Sequence, residues 1–78
     1  MIESHDLFNE FPEHTEAIRK LVLVNDDFVK MMRDYDEVDH KVRRIEQRVD
    51  AASLLYEEEL KRMRVSLKDR LYKMITAV

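Results

Sequence analysis

The hydrophobic pattern of the first two thirds of the chain predicts a long amphipathic helix. With Leu21 as the first position of a seven-residue repeat, the first and fourth positions are apolar or aromatic over about five repeats. These positions are Ala17, Leu21, Val24, Phe28, Met31, Tyr35, Val38, Val42, Ile45 and Val49. Because such a repeat places its members on one side of a helix, the pattern indicates a seam like that of a coiled coil.

The predicted first helix covers about residues 12–48. Pro12 is tolerated in the first turn of a helix, and the acidic Glu13 suits the positive end of the helix dipole. Residues 25–27 (Asn, Asp, Asp) can interrupt the helix, because these side chains cap a following turn. Since the repeat keeps its phase across them, we favour a continuous helix.

A second apolar stripe begins after the repeat loses its phase near residue 49. Its members have helical spacing and are Tyr56, Leu60, Met63, Leu67, Leu71, Met74 and Val78. Three glutamates at 57–59 lie near its start and basic residues near its end, which complements the helix dipole. We therefore predict a second helix over about 54–76, with Asp50 or Ser53 as its N-cap.

The break in phase predicts an all-α fold, an antiparallel two-helix hairpin with coiled-coil-like packing. The alternative is a single rod of about 65 residues and roughly 100 Å, in which residues 50–53 stay helical. The acidic start of the second stripe favours the hairpin. Folding near residue 51 would bring three pairs together: Leu60 with Val42, Leu67 with Tyr35, and Met74 with Phe28.

In this hairpin, residues 17–24 extend beyond the second helix and their apolar side chains need a cover. The N-terminal arm, residues 1–11, or another chain can supply it, and a pair of hairpins could then form a helical bundle. We predict an interface that comprises Leu7, Phe8, Phe11, Ile18, Leu21, Val22, Val24 and Phe28.

The composition excludes several classes of function. The 78 residues include no glycine, so a glycine-rich phosphate-binding loop is excluded, and no cysteine, so there is no disulfide and no thiolate metal site. A chain this short buries little apolar area, which favours a partner or self-association. The opening residues lack a basic and apolar leader, and no apolar run approaches about 20 residues. We expect a cytoplasmic protein that does not bind membranes.

Charge is unevenly distributed around a net value of −3. The first 16 residues carry five acids and no Lys or Arg, whereas residues 60–78 carry six bases and one acid. This asymmetry favours docking of the arm on the end of the second helix. An alternative function is weak nucleic-acid binding by a basic face on that helix. The residues of this face are Arg62, Arg64, Lys68, Arg70 and Lys73.

The candidate chemistry is limited to acidic and histidine side chains near the middle of the first helix. Asp36, Asp39 and His40 are metal-ligand types, but their helical positions spread them around the outer and flanking faces. A solvated face or an interhelical ion pair is the simpler interpretation. A two-helix hairpin also has no cleft for acid–base catalysis. We expect no catalytic residue, metal, cofactor or small-molecule substrate.

Three ordered motifs resemble the YdcH family of small bacterial proteins. They are Glu-Phe-Pro-Glu at 10–13, Tyr-Asp-Glu-Val-Asp-His-Lys-Val at 35–42 followed by Arg-Ile-Glu at 44–46, and Leu-Lys-Asp-Arg-Leu-Tyr at 67–72. The last motif has Lys-Asp-Arg where the family has Lys-Asp-Glu, and residues 60–64 replace the usual Leu-Lys-Lys. The resemblance implies a bacterial helical hairpin whose role is not established. We predict a non-catalytic interaction or adaptor protein that binds itself or a larger protein through helix–helix contacts.

Overall fold

The structure, a computed structural model, describes residues 5–77, which form helices and the turns between them. The helices are α1 (His5–Glu10), α2 (Thr15–Val24), α3 (Asp26–Glu46) and α4 (Leu54–Thr76), with a 3-10 turn at Pro12–His14. Helices α3 and α4 pack against each other in opposite directions, with Val42 beside Leu60 and with Phe28 and Leu71 in one core cluster. The predicted all-α fold and its hairpin are confirmed.

The predicted first helix is not continuous, because Asn25 separates α2 from α3. Asn25 has an extended backbone (φ −131°), and its side-chain oxygen accepts a hydrogen bond of 3.0 Å from the backbone N–H of Phe28. Its own N–H donates to the carbonyl oxygen of Leu21 at 2.8 Å. One residue thus ends one helix and caps the next, an ability specific to short polar side chains. The prediction of continuity is wrong, since an unbroken apolar repeat does not exclude a cap.

The start of the predicted helix also differs. Pro12 lies in a 3-10 turn instead of the first turn of an α-helix, and α2 begins at Thr15. The hydroxyl of Thr15 donates to the carbonyl oxygen of Pro12 at 2.9 Å and links the two segments. Residues 5–10 of the predicted arm form α1, and residues 1–4 lie outside the described residues.

The turn between α3 and α4 forms without glycine. Helix α3 ends in a Schellman motif: the N–H of Val49 donates to the carbonyl of Arg44 at 2.9 Å, and that of Arg48 donates to Ile45 at 3.0 Å. This motif requires a left-handed residue, and Arg48 takes that role with φ 60°. Helix α4 then begins with Ser53 as N-cap, whose hydroxyl oxygen accepts from the N–H of Tyr56 at 3.1 Å. Of the two predicted N-caps, Ser53 is therefore correct.

The core is concentrated at the end of the hairpin away from this turn. One buried cluster joins all four helices there, and it comprises Leu7, Phe11, Ile18, Leu21, Phe28, Met32, Tyr35, Leu71 and Ile75. A second, smaller cluster of Val38, Val42 and Leu60 lies between α3 and α4. Because the break at Asn25 turns α2 back onto the hairpin, Ile18 and Leu21 are buried in the core and do not overhang, whereas Leu23 and Val24 at the end of α2 face solvent.

Several predicted seam positions lie outside the core. Val24 and Val49 are exposed because each lies at a helix end, and Tyr56 and Met63 are about half exposed. Met32, rather than the predicted Met31, is fully buried, and Ile75 is a core residue that the second stripe omitted. A seven-residue repeat predicts burial on only one side of a helix, whereas α3 packs against α4 and also against α1 and α2. Val78 lies outside the described residues.

Candidate functional site

The predicted interface residues divide into a buried group and an exposed one. Five of them are buried within the chain's own core: Leu7, Phe11, Ile18, Leu21 and Phe28. Phe8 and Val22 pack at the edge of that core, and Val24 is 73% exposed. Leu7 and Phe11 of the arm share that core with Ile18 and Leu21 of α2, which α3 and α4 also contact, so the arm supplies part of the cover that we considered. Participation of this group in binding another chain stays a prediction.

The acidic arm docks on the basic end of α4. Lys68 Nζ lies 2.8 Å from Glu10 Oε2, and the same ammonium lies 5.9 Å from the centroid of the Phe11 ring. The Phe11 ring packs against the Tyr72 ring with 5.3 Å between centroids, and His14 meets Tyr72 edge-on at 6.0 Å. This contact combines an ion pair, a cation–π contact and aromatic packing, so it accounts for the position of the arm.

Asp39 joins α3 to α4 through buried charge. The residue is only 3% exposed, and its Oδ1 accepts a hydrogen bond of 3.2 Å from Arg64 Nη1 on α4. Arg43 Nε lies 3.0 Å from Oδ2 in an ion pair rather than a well-directed hydrogen bond. The interhelical ion pair that we considered for this acidic group is present. The Asp39 carboxylate thus lies between the guanidinium groups of Arg43 and Arg64 and links the middle of α3 to the middle of α4.

The predicted basic face is divided between two sides of α4. Arg64 and Lys68 face the rest of the chain, where they pair with carboxylates of α3 and α1. Arg62, Arg70 and Lys73 are exposed. Asp69 lies on the same outer side as Arg62 and Lys73 by helical spacing and reduces its positive charge. The structure therefore does not bring the five cations together on one surface.

A shallow apolar groove runs between α3 and α4 on the face of the hairpin opposite to the arm. Its floor is formed by Val38, Leu60, Met63 and Leu67. Its rim carries Asp34, Glu37 and Lys41 on α3 and Arg70 on α4. The groove continues toward the turn, where Lys41, Ile45 and Tyr56 line a neighbouring depression. Such a surface, apolar in the middle and charged at the edges, has the profile of a helix-packing face.

The hairpin tip, residues 47–56, is a second apolar surface. Leu54 and Leu55 are 73% and 69% exposed, and Val49, five residues before Leu54, is 60% exposed. Beneath this tip, Arg44 donates from Nε and Nη2 to the two carboxylate oxygens of Asp50 at 2.9 and 3.2 Å. These hydrogen bonds lower the pKa of the Asp50 carboxyl and raise the pKa of Arg44. The clamp holds the turn in shape while the leucines face solvent.

The apolar pattern of the sequence did not identify Leu54 and Leu55 as exposed surface residues. Both residues precede the second apolar stripe and lie on another side of the helix. This position was the available signal, because apolar residues outside the stripe do not face the helix that the stripe packs against. The stripe also predicted a core position for Met63, although this residue is half exposed in the groove. In both cases the sequence shows apolar character but does not show which helix faces it.

The candidate ligand residues do not converge. Asp39 faces α4, whereas His40 is exposed on the outer side of α3. Among residues 5–77, no three His, Asp or Glu side chains are grouped so as to hold a metal ion. Within the same range, none of the helices combines the length and the apolar character that crossing a membrane requires.

The comparison with protein families gives one match, and it covers the helical hairpin. The profile of the family described as "Protein of unknown function (DUF465)" matches residues 28–75, which is more than half of the chain. No curated protein and no solved structure matches the chain. The matching family does not carry the YdcH name, so that resemblance stays a prediction. The matched region takes in almost all of α3 and α4, and the chain belongs to the DUF465 family of proteins of unknown function.

Proposed function

We propose that this protein is a small, non-catalytic interaction module that binds itself or a larger protein through helix–helix contacts. The observation that carries the proposal is the uneven burial of the hairpin. Its arm end holds most of the buried core, with Leu23 and Val24 exposed at the end of α2, while the groove and the hairpin tip expose apolar side chains such as Met63, Leu54 and Leu55. Clustered apolar side chains on a small protein usually mark an interaction surface.

The ionisable side chains support a binding role more than a catalytic one. Asp39 is neutralised by Arg43 and Arg64, and Asp50 is held by Arg44. These charges are used in pairs that fix the helices and the turn. General acid–base chemistry requires instead two groups that face a substrate in a cleft with little water.

Site-specific photocrosslinking in the cells that produce the protein tests the proposal. A benzophenone amino acid replaces Leu55 at the hairpin tip or Met63 in the groove, and Glu16, an exposed residue of α2, serves as the matched control. We expect light-dependent adducts from the first two positions and background labelling from the third. Mass spectrometry of the adducts then tells a second copy from a different protein. Background labelling at all three positions would refute the interaction module.

The alternative, a nucleic-acid-associated helper, has weaker support because two of its five cations are already paired. It predicts that a fluorescent RNA binds at low ionic strength and that added salt weakens the binding. Replacing the exposed Arg62 and Arg70 with Gln should then reduce the affinity further. An RNA anisotropy that does not change at low ionic strength would eliminate this alternative.

A further inference from the structure

We propose that the groove between α3 and α4 binds the same groove of a second copy of this chain. The two hairpins meet face to face in opposite directions, about a two-fold axis, and form a four-helix bundle. This inference rests on the proposed function and deepens it by naming the partner. Three features support it: the accessibility of the groove, its apolar floor and the arrangement of its charges.

The arm does not obstruct the groove. Lys68 and Tyr72 carry the contacts with the arm, whereas Met63 and Arg70 line the groove. By helical spacing these two pairs lie on opposite sides of α4. A second hairpin can therefore approach the groove while α1 and α2 remain docked in each chain.

The floor of the groove is apolar but incompletely covered. Val38 and Leu60 are buried in the small cluster, while Leu67 is partly buried and Met63 is 50% exposed. An isolated hairpin leaves this side of its seam in water. The hydrophobic effect favours a second layer of helices there, as in four-helix bundles.

Four charges of α3 on or near the groove side are arranged symmetrically about Asp39. Asp34 and Glu37 lie five and two residues before it, and Lys41 and Arg44 lie two and five residues after it. The first three of these four residues line the groove, and Arg44 lies one turn nearer the tip, outside the lining, where it also holds Asp50. When a second α3 lies across the first in the opposite direction, each acidic residue faces a basic residue of the second copy.

On α4, the two charges beside the groove floor, Glu59 and Arg70, are arranged nearly symmetrically about Arg64. Glu59 lies five residues before Arg64 and Arg70 lies six residues after it. Glu59 is exposed one turn before Met63 on the same face, and Arg70 lines the rim. An antiparallel second α4 therefore brings Glu59 of one copy opposite Arg70 of the other.

The buried ion pair places both centres of symmetry at one level. Arg64 Nη1 and Asp39 Oδ1 are 3.2 Å apart. A single two-fold axis at this level therefore places opposite charges of the two copies near each other along both α3 and α4. A parallel pair of hairpins would also join some opposite charges, Asp34 with Arg70 and Arg44 with Glu59. Glu37 and Lys41 pair with each other within one chain at 3.2 Å, and only the antiparallel arrangement adds an opposite charge of the second copy to each of them, so it matches more of the rim.

A matched pair of substitutions tests the location of the interface. Met63→Glu places a charge in the groove, and Val65→Glu places the same charge at a similarly exposed position outside its lining, with 57% exposure. Light scattering over a hundredfold range of concentration should give twice the 9.5 kDa of one chain for the unmodified protein. We expect Val65→Glu to remain dimeric and Met63→Glu to be monomeric, with circular dichroism showing helicity retained in both.

Charge exchange tests the direction of the second copy. Glu59→Arg or Arg70→Glu alone should weaken dimerisation by about tenfold, because each places like charges opposite each other. The variant that carries both substitutions restores opposite charges only in the antiparallel dimer, and it should recover most of the affinity. In a parallel dimer both new side chains meet like charges, at Arg44 and Asp34, and the double variant would be the weakest.

Three results would overturn this inference: a monomer at every concentration, a dimer that Met63→Glu leaves intact, or a double variant weaker than both single ones. None of them by itself removes the proposed function. A monomer that still crosslinks to a different protein through Met63 or Leu55 would keep the interaction module and reject the second copy as its partner. Absence of crosslinks would reject the module itself.

Discussion

Arg48 shows at the residue scale how a chain without glycine ends a helix. Its φ of 60° places it in the left-handed region, where the β-carbon of an L-residue costs about 1–2 kcal/mol. Arg48→Gly removes that cost but adds freedom to the unfolded chain, so the net gain in unfolding free energy is about 0.5–1 kcal/mol. Urea denaturation measures the gain.

The neighbouring Gln47 provides the control for this prediction. Its φ of −82° is ordinary for any residue, so Gln47→Gly should lower the unfolding free energy by about 0.5–1 kcal/mol, through the entropy of the unfolded chain alone. Equal losses from both glycine substitutions would mean that the left-handed turn at Arg48 stores no cost.

Replacing Asp39 should cause a large loss of stability, because its charged side chain is almost fully buried between α3 and α4. Asp39→Ala removes a carboxylate that is 3% exposed and leaves Arg64 facing α3 without its partner. We expect a loss of about 2–3 kcal/mol in unfolding free energy, below that of a fully buried pair because both arginines reach water. Glu37→Ala, which removes an exposed pair with Lys41, should cost less than about 0.5 kcal/mol in the same denaturation experiment. Similar losses from both would contradict this account.

The Arg44–Asp50 clamp predicts a pH dependence of the turn. Because the pKa of Asp50 is lower in the folded chain than its unfolded value of about 3.9, the clamp stabilises the fold above that value. This contribution is lost as the pH falls through the folded pKa. A carboxyl NMR titration should show Asp50 titrating below an ordinary aspartate, and Arg44→Gln should return it toward 3.9. An Asp50 pKa that Arg44→Gln does not change would refute the clamp.

At the scale of elements, the docking of the arm on α4 is a contact that the charge distribution of the sequence suggested but did not locate. Phe11→Ala removes a ring that is 8% exposed and packs on Tyr72, so we expect a loss of about 3 kcal/mol and a changed chemical shift for the Tyr72 ring. Phe8→Ala, at the edge of the core, should cost about 1 kcal/mol and leave the Tyr72 shift in place. An unchanged Tyr72 signal in Phe11→Ala would place the arm elsewhere.

The hairpin was predictable because the sequence signals of its two helices, apolar periodicity and charge at the helix ends, are local and repeated along the chain. Two apolar stripes that are out of phase, and acidic residues at the start of the second one, imply two helices. Counting residues outward from the turn then correctly paired Val42 with Leu60. The break at Asn25 was not predictable from periodicity, because one extended residue can leave a repeat almost in phase while changing the direction of the chain. The direction of α2 in turn decides that Ile18 and Leu21 are core residues.

The candidate surface was harder to predict than the fold. The stripe through Met63 indicates an apolar residue, but its exposure depends on how many helices pack around α4, which is a property of the assembled chain. The exposure of Leu54 and Leu55 depends likewise on where the Schellman turn and the Ser53 cap place the first turn of α4.

At the scale of the whole molecule, the two ends of the hairpin differ in how firmly they are held. Leu71 and Ile75 are buried by three other helices, whereas Leu54 and Leu55 at the start of the same helix face solvent. Local opening costs less free energy where fewer apolar contacts must break. The stability of α4 should therefore rise from its first residue toward its last turns.

Native-state hydrogen exchange measures this gradient directly. Amides at 68–71 should open with nearly the global unfolding free energy, and amides at 58–61 should open at a cost lower by about 2 kcal/mol. Uniform protection along α4 would contradict the gradient in the isolated chain, unless a partner covers the tip. The variant Leu54→Ser with Leu55→Ser separates the two cases, because two exposed leucines add little to the stability of a single chain. If uniform protection disappears in that variant, a bound partner supplied it; if it persists, α4 is stable along its whole length and the tip needs no cover.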